Sequence, residues 1–378
     1  MQAGIYIHIP FCRARCSYCD FATGAYDAPL AARYINAIAQ EIGAFERPTA
    51  IVGEVDTIYF GGGTPSLLAP AQVERLLRAV GERFSVTTNV EVTMEMNPGT
   101  VTPEILRRFR VAGVNRASFG LQTFDDEALR RLGRTHTAQD ARRTLADLRA
   151  AGFSNVSFDL IAGLPGQTLA DWSHNMAEAL ALRPAHLSLY LLEVHEATPL
   201  AEQLRRGMWP EPDADTAAEM YQLLIERTAA AGYEHYEISN FCLPGHESRH
   251  NLKYWTQQPY YGFGCSAHSF DGISTRWANE RDAARYVELI ETCGSAIVET
   301  NTLTPDETGA ESLFLGLRLM RGIDLREHQA RFGANVRDTH ANDLARFNEA
   351  GLIELSGDVL RLTRHGVLLS NEVFAAFV

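Results

Sequence analysis

Cys12, Cys16 and Cys19 place three thiols within eight residues, spaced C-x3-C-x2-C inside the stretch IYIHIPFCRARCSYCDF. Three thiols in one short loop cannot all pair as disulfides, but their thiolates can hold a metal. Iron–sulfur clusters are held by thiolates, and a cubane of four irons offers four sites, so three protein ligands leave one iron open. An open position on a redox cluster is reactive, much as open positions mark catalytic zinc. Structural zinc is the competing reading. It would want a fourth Cys or His nearby, and none follows at finger-like spacing. Incidental thiols are a third reading. His8 lies four residues before Cys12, but on the run that precedes the loop.

The elements that must carry this loop are short apolar runs alternating with helical patterns. Runs at 4–9, 55–60, 90–96, 115–122, 155–161 and 186–194 read as strands. Helical spacing follows them at 29–45, 70–84, 102–112, 125–133 with 137–151, 168–182 and 200–207 with 213–231. Strand–helix alternation of this kind means parallel β/α units. The fold class is therefore α/β, with a partial (β/α)6 barrel over residues 1–232. Each polar or glycine-rich punctuation, GGGTP at 61–65, NPG at 97–99 and GLPG at 163–166, falls at the C-terminal end of a strand. In β/α barrels that end carries the site.

Residues 233–300 change character. They are rich in aromatics, His and Gly, with little periodicity, and are expected to be connecting loops that carry the string HNLKYW and cover the barrel. Residues 301–378 read as a separate α+β domain of three helices and a hairpin around Ser356-Gly357-Asp358, resembling a winged helix. That domain carries 8 Arg against 11 Asp+Glu, a net −3, which argues against reading nucleic acid. The whole chain of 378 residues is net −13, which argues against non-specific nucleic-acid binding as well. A hydrophobic content of 46% and a charged content of 21% are ordinary for a globular protein. No signal-like N-terminal segment and no apolar run of about 18–20 residues is evident, so a reducing cytoplasm is the expected compartment. Cys242, Cys265 and Cys293 are scattered and are expected to be small buried hydrophobes.

The cysteine spacing after a first strand, in a β/α barrel, resembles the radical S-adenosylmethionine (SAM) superfamily. In that family the open iron binds the amino and carboxylate groups of SAM, and electron transfer cleaves the sulfonium to a 5′-deoxyadenosyl radical. Tyr18 matches the aromatic between the second and third cysteines, and Gly61-Gly62-Gly63-Thr64 matches the glycine-rich SAM motif. Glycines there allow close backbone approach, and an exposed edge can bind an amino group. YIHIPFC, GGGTPS, EMNPGT, FGLQTF, LGRTH and DLIAGLPGQT together resemble the oxygen-independent coproporphyrinogen III oxidase-like family across most of the first 200 residues. The resemblance implies a 4Fe–4S cluster on the three cysteines. It also implies SAM contacts from Tyr6, Tyr18, Gly62, Gly63, Thr64, Glu95, Gln122, Arg134 and Asp159.

The oxidase pattern continues C-x3-C-x2-C-x-C, whereas this chain has Phe21 at the last position. The oxidase also carries an extension before its first barrel strand. With the string H-N-x-x-Y-W at 250–255, these departures resemble the haem-chaperone branch of the family. That branch implies haem as a third cofactor, with His250 as its ligand and Tyr254 and Trp255 stacking on the macrocycle; His246 and His268 are weaker candidates. The expected partners are haem and acceptor haemoproteins, such as respiratory enzymes or haem-storage proteins, with peripheral membrane contact and no nucleic acid. The fold would then hold cluster and SAM without coproporphyrinogen oxidase activity, and no catalytic residue is assigned. The oxidase reaction, oxidative decarboxylation of coproporphyrinogen III, is the alternative, and a radical SAM enzyme with an unrelated substrate is a third class.

Overall fold

The structure, a computed structural model, describes residues 2–46 and 53–377. Six parallel strands form its centre: β1 (Ala3–Ile9), β2 (Val55–Gly62), β3 (Val86–Met96), β4 (Arg116–Gln122), β5 (Asn155–Ala162) and β6 (His186–Leu191). They alternate with α1 (Ala28–Ala44), α2 (Pro70–Arg83), α3 (Pro103–Ala112), α4 (Asp126–Arg131), α5 (Ala138–Ala150), α6 (Leu169–Ala181), α7 (Pro199–Arg205) and α8 (Ala214–Ala230). The result is a partial (β/α)6 radical SAM barrel followed by an α+β domain.

Side-chain alternation decides which residues reach the concave side. On β1, Ile5, Ile7 and Ile9 are wholly buried in the core shared with the helices, while Tyr6 and His8 turn the other way. On β2 the same split separates Ile58 and Phe60 from Thr57 and Tyr59. The helices start where side chains satisfy their free N–H groups. Thr137 with Asp140 and Thr168 with Asp171 form reciprocal capping boxes at α5 and α6.

Residues 233–300 are not connecting loops. They supply β7 (Glu234–Glu237), β8 (Asn240–Cys242), β9 (Tyr260–Phe263), β10 (His268–Phe270), β11 (Thr275–Asn279) and β12 (Ile297–Thr302) to the same sheet. The sheet order is β12-β11-β10-β9-β1-β2-β3-β4-β5-β6-β8-β7, so neither β1 nor β6 is an edge. These strands are three to six residues long, too short for a periodic signal to emerge from the sequence. HNLKYW is not a loop either. It forms most of α9 (Arg249–Trp255), a two-turn helix packed on β1 and β2. The chain's only lysine, Lys253, fixes it there by an ion pair of 2.6 Å to Asp56, with the lysine side chain 3% exposed.

After Leu303 come helices Pro305–Gly316, Leu325–Phe332 and Ala341–Glu349 and the hairpin Ile353–Ser356 with Val359–Leu362, joined by a third short strand, Ile323–Asp324. This part touches the barrel through Arg318, whose guanidinium lies 4.3 Å from the Trp255 ring and 3.7 Å from Glu237. No helix among the described residues is long and apolar enough to cross a membrane.

Candidate functional site

The cysteine loop leaves the C-terminal end of β1 and is tied down without help from its thiols. His8 Nε2 pairs with Ala22 O at 2.9 Å, Gly24 N donates to Pro10 O at 2.7 Å, and Tyr26 N donates to Cys12 O at 2.9 Å. On its other side Ser17 N donates to Leu132 O at 2.9 Å and Leu200 N donates to Ser17 O at 2.8 Å. His8 itself receives Tyr6, whose hydroxyl lies 3.0 Å from Nδ1. The strand histidine is thus a strut between lumen and loop, a role its position on β1 did not reveal.

All three cysteines are free and partly exposed. Burial pushes the Cys12 and Cys19 thiols up from their ordinary range, and charge on the neighbouring cysteines adds to it. A metal reverses that cost, because it binds the thiolate. Among the described residues no three His, Cys, Asp or Glu side chains converge on one point where a single ion could sit. Three soft donors in one loop, unaccompanied by a fourth, fit several irons that each take one thiolate better than a four-ligand zinc.

The glycine turn lies directly beneath. Gly62 adopts φ +108°, and a Cβ there would fall 2.6 Å from the His8 ring. At Gly63 a Cβ would meet Phe11 O at 2.8 Å and Cys12 Sγ at 3.0 Å. Any side chain at either position would push the loop away, so the glycines fix how closely strand end and cysteine loop approach. Thr64 closes the contact, its N–H donating to Phe11 O at 2.9 Å and its hydroxyl to Cys12 Sγ at 3.5 Å. Asn97, from the NPG turn, donates to Thr64 Oγ1 at 2.9 Å.

The remaining candidate SAM residues line the same mouth. Glu95 accepts from Tyr59 Oη at 2.8 Å and from Gly62 N at 3.1 Å, and burial raises its carboxyl to about 7. Asp159 is bonded by Ser118 and Ser188, and burial raises it too. Gln122 ends β4 in the left-handed region at φ +70°, an unusual conformation that turns the chain at the rim. Arg134, in the turn between α4 and α5, donates through Nη1 to Cys16 Sγ at 3.4 Å and through Nη2 to Gly120 O. Its Nε is buried without a hydrogen-bond partner, an orphaned donor beside the cysteine loop that suits a ligand carboxylate. Tyr18 packs against Leu132, Ile161 and Leu164 at the edge of this group. Tyr6 sits deeper, stacked on Tyr59 at 6.1 Å between ring centroids. Phe21 is 67% exposed at the loop's end.

His250 lies deeper in the interior, stacked on Tyr6 at 6.4 Å and on Tyr59 at 5.2 Å between ring centroids. It is 1% exposed, its Nδ1 lies 2.9 Å from Thr57 Oγ1, and its Nε2 lies 2.9 Å from Tyr254 Oη. Gly4, at the start of β1, approaches it, whereas the cysteine loop follows the end of β1. Both nitrogens are engaged, and burial drives the imidazole down to about 3. Tyr254 meets it edge-on, and Trp255 faces Arg318 of the C-terminal part. In this conformation both imidazole nitrogens are taken, so His250 presents no free donor to a haem iron. Of the other cysteines, Cys242 and Cys265 are buried, but Cys293 is exposed at the end of helix Ala283–Cys293, contrary to expectation.

The radical SAM superfamily model matches residues 6–179, and the HemN C-terminal domain model matches residues 303–369. The haem chaperone HemW of Bacillus subtilis (strain 168) is 38% identical over 99% of this chain and 98% of its own. The chain belongs to the HemW family. HemW of Escherichia coli (strain K12) is 32% identical over 99% of the chain and 97% of its own. Among solved structures, the coproporphyrinogen III oxidase HemN from Escherichia coli superposes with a TM-score of 0.86, covering 100% of this chain and 90% of that one at 24% identity, a likeness of fold.

Proposed function

We propose that this chain is a haem chaperone that carries a SAM-ligated 4Fe–4S cluster, binds haem and passes it to acceptor haemoproteins. Cys12, Cys16 and Cys19 hold the cluster. Arg134 Nε takes the SAM carboxylate, Glu95 takes an amino or ribose group, and Gly62–Thr64 set the backbone against which SAM lies. When bound, cluster and SAM supply one-electron cleavage of the sulfonium. His250 is the haem ligand, which requires one imidazole nitrogen to surrender its hydrogen bond, to Thr57 or to Tyr254, while the other keeps its own.

The observation that carries the chaperone reading over the oxidase is Phe21. Where the oxidase pattern has a further thiol, this loop presents an exposed aromatic ring, which can neither ligate iron nor supply a thiolate. The relatives named haem chaperones, aligned over nearly the whole chain, support it. Acceptors in respiratory complexes would bring the protein to a membrane surface as a peripheral visitor.

The test uses anaerobically reconstituted full-length protein. Haem titration is expected to give stoichiometric binding. Incubation with SAM, reductant and coproporphyrinogen III is expected to give no decarboxylated porphyrinogen, and formation of that product would overturn the chaperone-only reading.

A pH dependence follows from Glu95. Burial raises its carboxyl to about 7, and the carboxylate accepts from an ammonium of SAM far more strongly than the neutral acid does. SAM affinity is expected to fall about tenfold for each pH unit below 7 and to level off above it. Calorimetry between about one unit below and one unit above that value should show the slope in the native chain and a flat, weaker profile in Glu95→Gln. A slope that survives the substitution would remove Glu95 from the SAM site.

A further inference from the structure

Arg116 opens β4, is 2% exposed, and is not among the residues assigned to SAM or haem. Its charge bears on Tyr59 of β2, Glu95 of β3, Asp159 of β5, His186 of β6, Tyr236 of β7 and His250 of α9. Alternation along β4 puts Arg116 on the same side as Ser118, whose hydroxyl donates to Asp159 of β5, so the buried guanidinium lies on the inner side of the barrel. The ion pairs near the α9 end belong to other residues: Arg249 and Lys253 with Asp56, and Arg318 with Glu237. Among the described residues Arg116 enters no ion pair, and its Nε is buried without a hydrogen-bond partner.

Two hydroxyls nearby are in the same condition. Thr93, the register partner of Arg116 on β3, and Ser248, which precedes α9, are fully buried, and neither Oγ has a partner. Ser248 is linked to the Arg116 surroundings through its N–H, which donates to Tyr236 Oη at 3.2 Å; that hydroxyl in turn lies 2.8 Å from His186 Nε2. A guanidinium only donates, and a hydroxyl can donate. What the group lacks is a hydrogen-bonded acceptor carrying negative charge: Glu95 and Asp159 are near enough to feel the guanidinium, but neither forms an ion pair with it among the described residues. The interior carboxylates do not fill the role. None of them reaches Arg116 among the described residues: Glu95 meets Tyr59 and Gly62, Asp159 meets Ser118 and Ser188, and Glu91 meets the first backbone N–H groups of α9.

We infer that the α9 end of the barrel interior is a binding site for a carboxylate group, held by Arg116 together with the hydroxyls of Thr93 and Ser248. The planar fork of a guanidinium matches a carboxylate in two parallel hydrogen bonds. Glu95 and Asp159 in the same interior oppose any anion, a doubly charged phosphate more than a singly charged carboxylate. The carboxylate has two possible sources, a propionate of haem whose iron meets the neighbouring His250, or a free small carboxylate. The first source rests on the haem reading above.

Both sources are separable with full-length reconstituted protein and Arg116→Gln, with Arg116→Lys as the variant that keeps charge but loses the fork. The native chain is expected to bind haem about tenfold more tightly than haem dimethyl ester, whose propionates are neutral. In Arg116→Gln the two affinities should coincide, and in Arg116→Lys the difference should shrink. Sodium formate at fixed ionic strength is the probe for the second source. Equal affinity for haem and its ester, with a saturable formate-dependent rise in Tm of the native chain that Arg116→Gln lacks, would keep the site and assign it to a free anion. If the native chain discriminates neither haem from ester nor formate from a matched salt, the carboxylate site is wrong, whether or not Arg116→Gln folds. Failure of the native chain to bind haem at all would instead sink the chaperone reading, and the formate arm would still judge the site.

Discussion

Cys16→Ser is expected to give a folded chain that has lost its iron–sulfur chromophore. Among the described residues the Cys16 sulfur makes one polar contact, with Arg134 Nη1 at 3.4 Å, and the loop around it is held by backbone bonds to Leu132, Leu200 and Pro10 and by the His8 ring at Ala22 O. Exchanging sulfur for oxygen therefore leaves the loop's path intact while replacing a soft thiolate with a hydroxyl that iron–sulfur clusters do not use. Far-UV circular dichroism should match the native chain. Iron and sulfide content after anaerobic reconstitution, and the visible charge-transfer absorbance, should fall to background. Cys293→Ser, exposed at a distant helix end, serves as the control and should retain the full chromophore. An unchanged spectrum in Cys16→Ser would refute the assignment of the loop as a cluster site. Because the readout is the metal itself, the result stands whether or not SAM is cleaved in turnover.

The six central strands were legible in the sequence because each is an apolar run closed by a turn at its C-terminal end. Runs read at 55–60 and 155–161 are observed at Val55–Gly62 and Asn155–Ala162. The cysteine loop and glycine turn were legible for the same reason: their spacing is local, and parallel strands bring consecutive C-terminal ends to one face. What escaped was non-local. β9 pairs with β1 across some 250 residues, and no periodicity in a four-residue strand announces such a partner. HNLKYW misled in the opposite sense. Its His, Tyr and Trp invited a surface role, yet it carries a lysine and a histidine into the interior, where Asp56, Thr57 and Glu91 meet them. Those partners lie on β2 and β3, about 160 to 195 residues away in the chain, so only the folded structure could pair them. Arg116 escaped because an arginine at the start of a strand reads as surface until the strands curl around it.

His250→Ala should separate the two roles that the imidazole plays. In the closed state it bridges Thr57 and Tyr254 and stacks on Tyr59 at 5.2 Å between ring centroids. Its loss leaves two buried hydroxyls without partners and a void beneath α9, a destabilisation of about 2–4 kcal/mol measurable by urea unfolding. If His250 is also the haem ligand, the variant should lose the absorbance of histidine-ligated haem and its stoichiometric binding, and free imidazole should restore part of the spectrum by occupying the void. The closed geometry adds a kinetic signature that a freely exposed histidine would not have. Haem capture through Nε2 must wait for its hydrogen bond to Tyr254 to break, so Tyr254→Phe, which removes that bond, should speed haem uptake while leaving the final stoichiometry unchanged. Stopped-flow mixing with haem reads that rate directly. Native-like haem binding by His250→Ala, with the stability loss still present, would leave the residue as a structural pin of α9 and move the haem site elsewhere, with the exposed Phe21 rim as the first place to look.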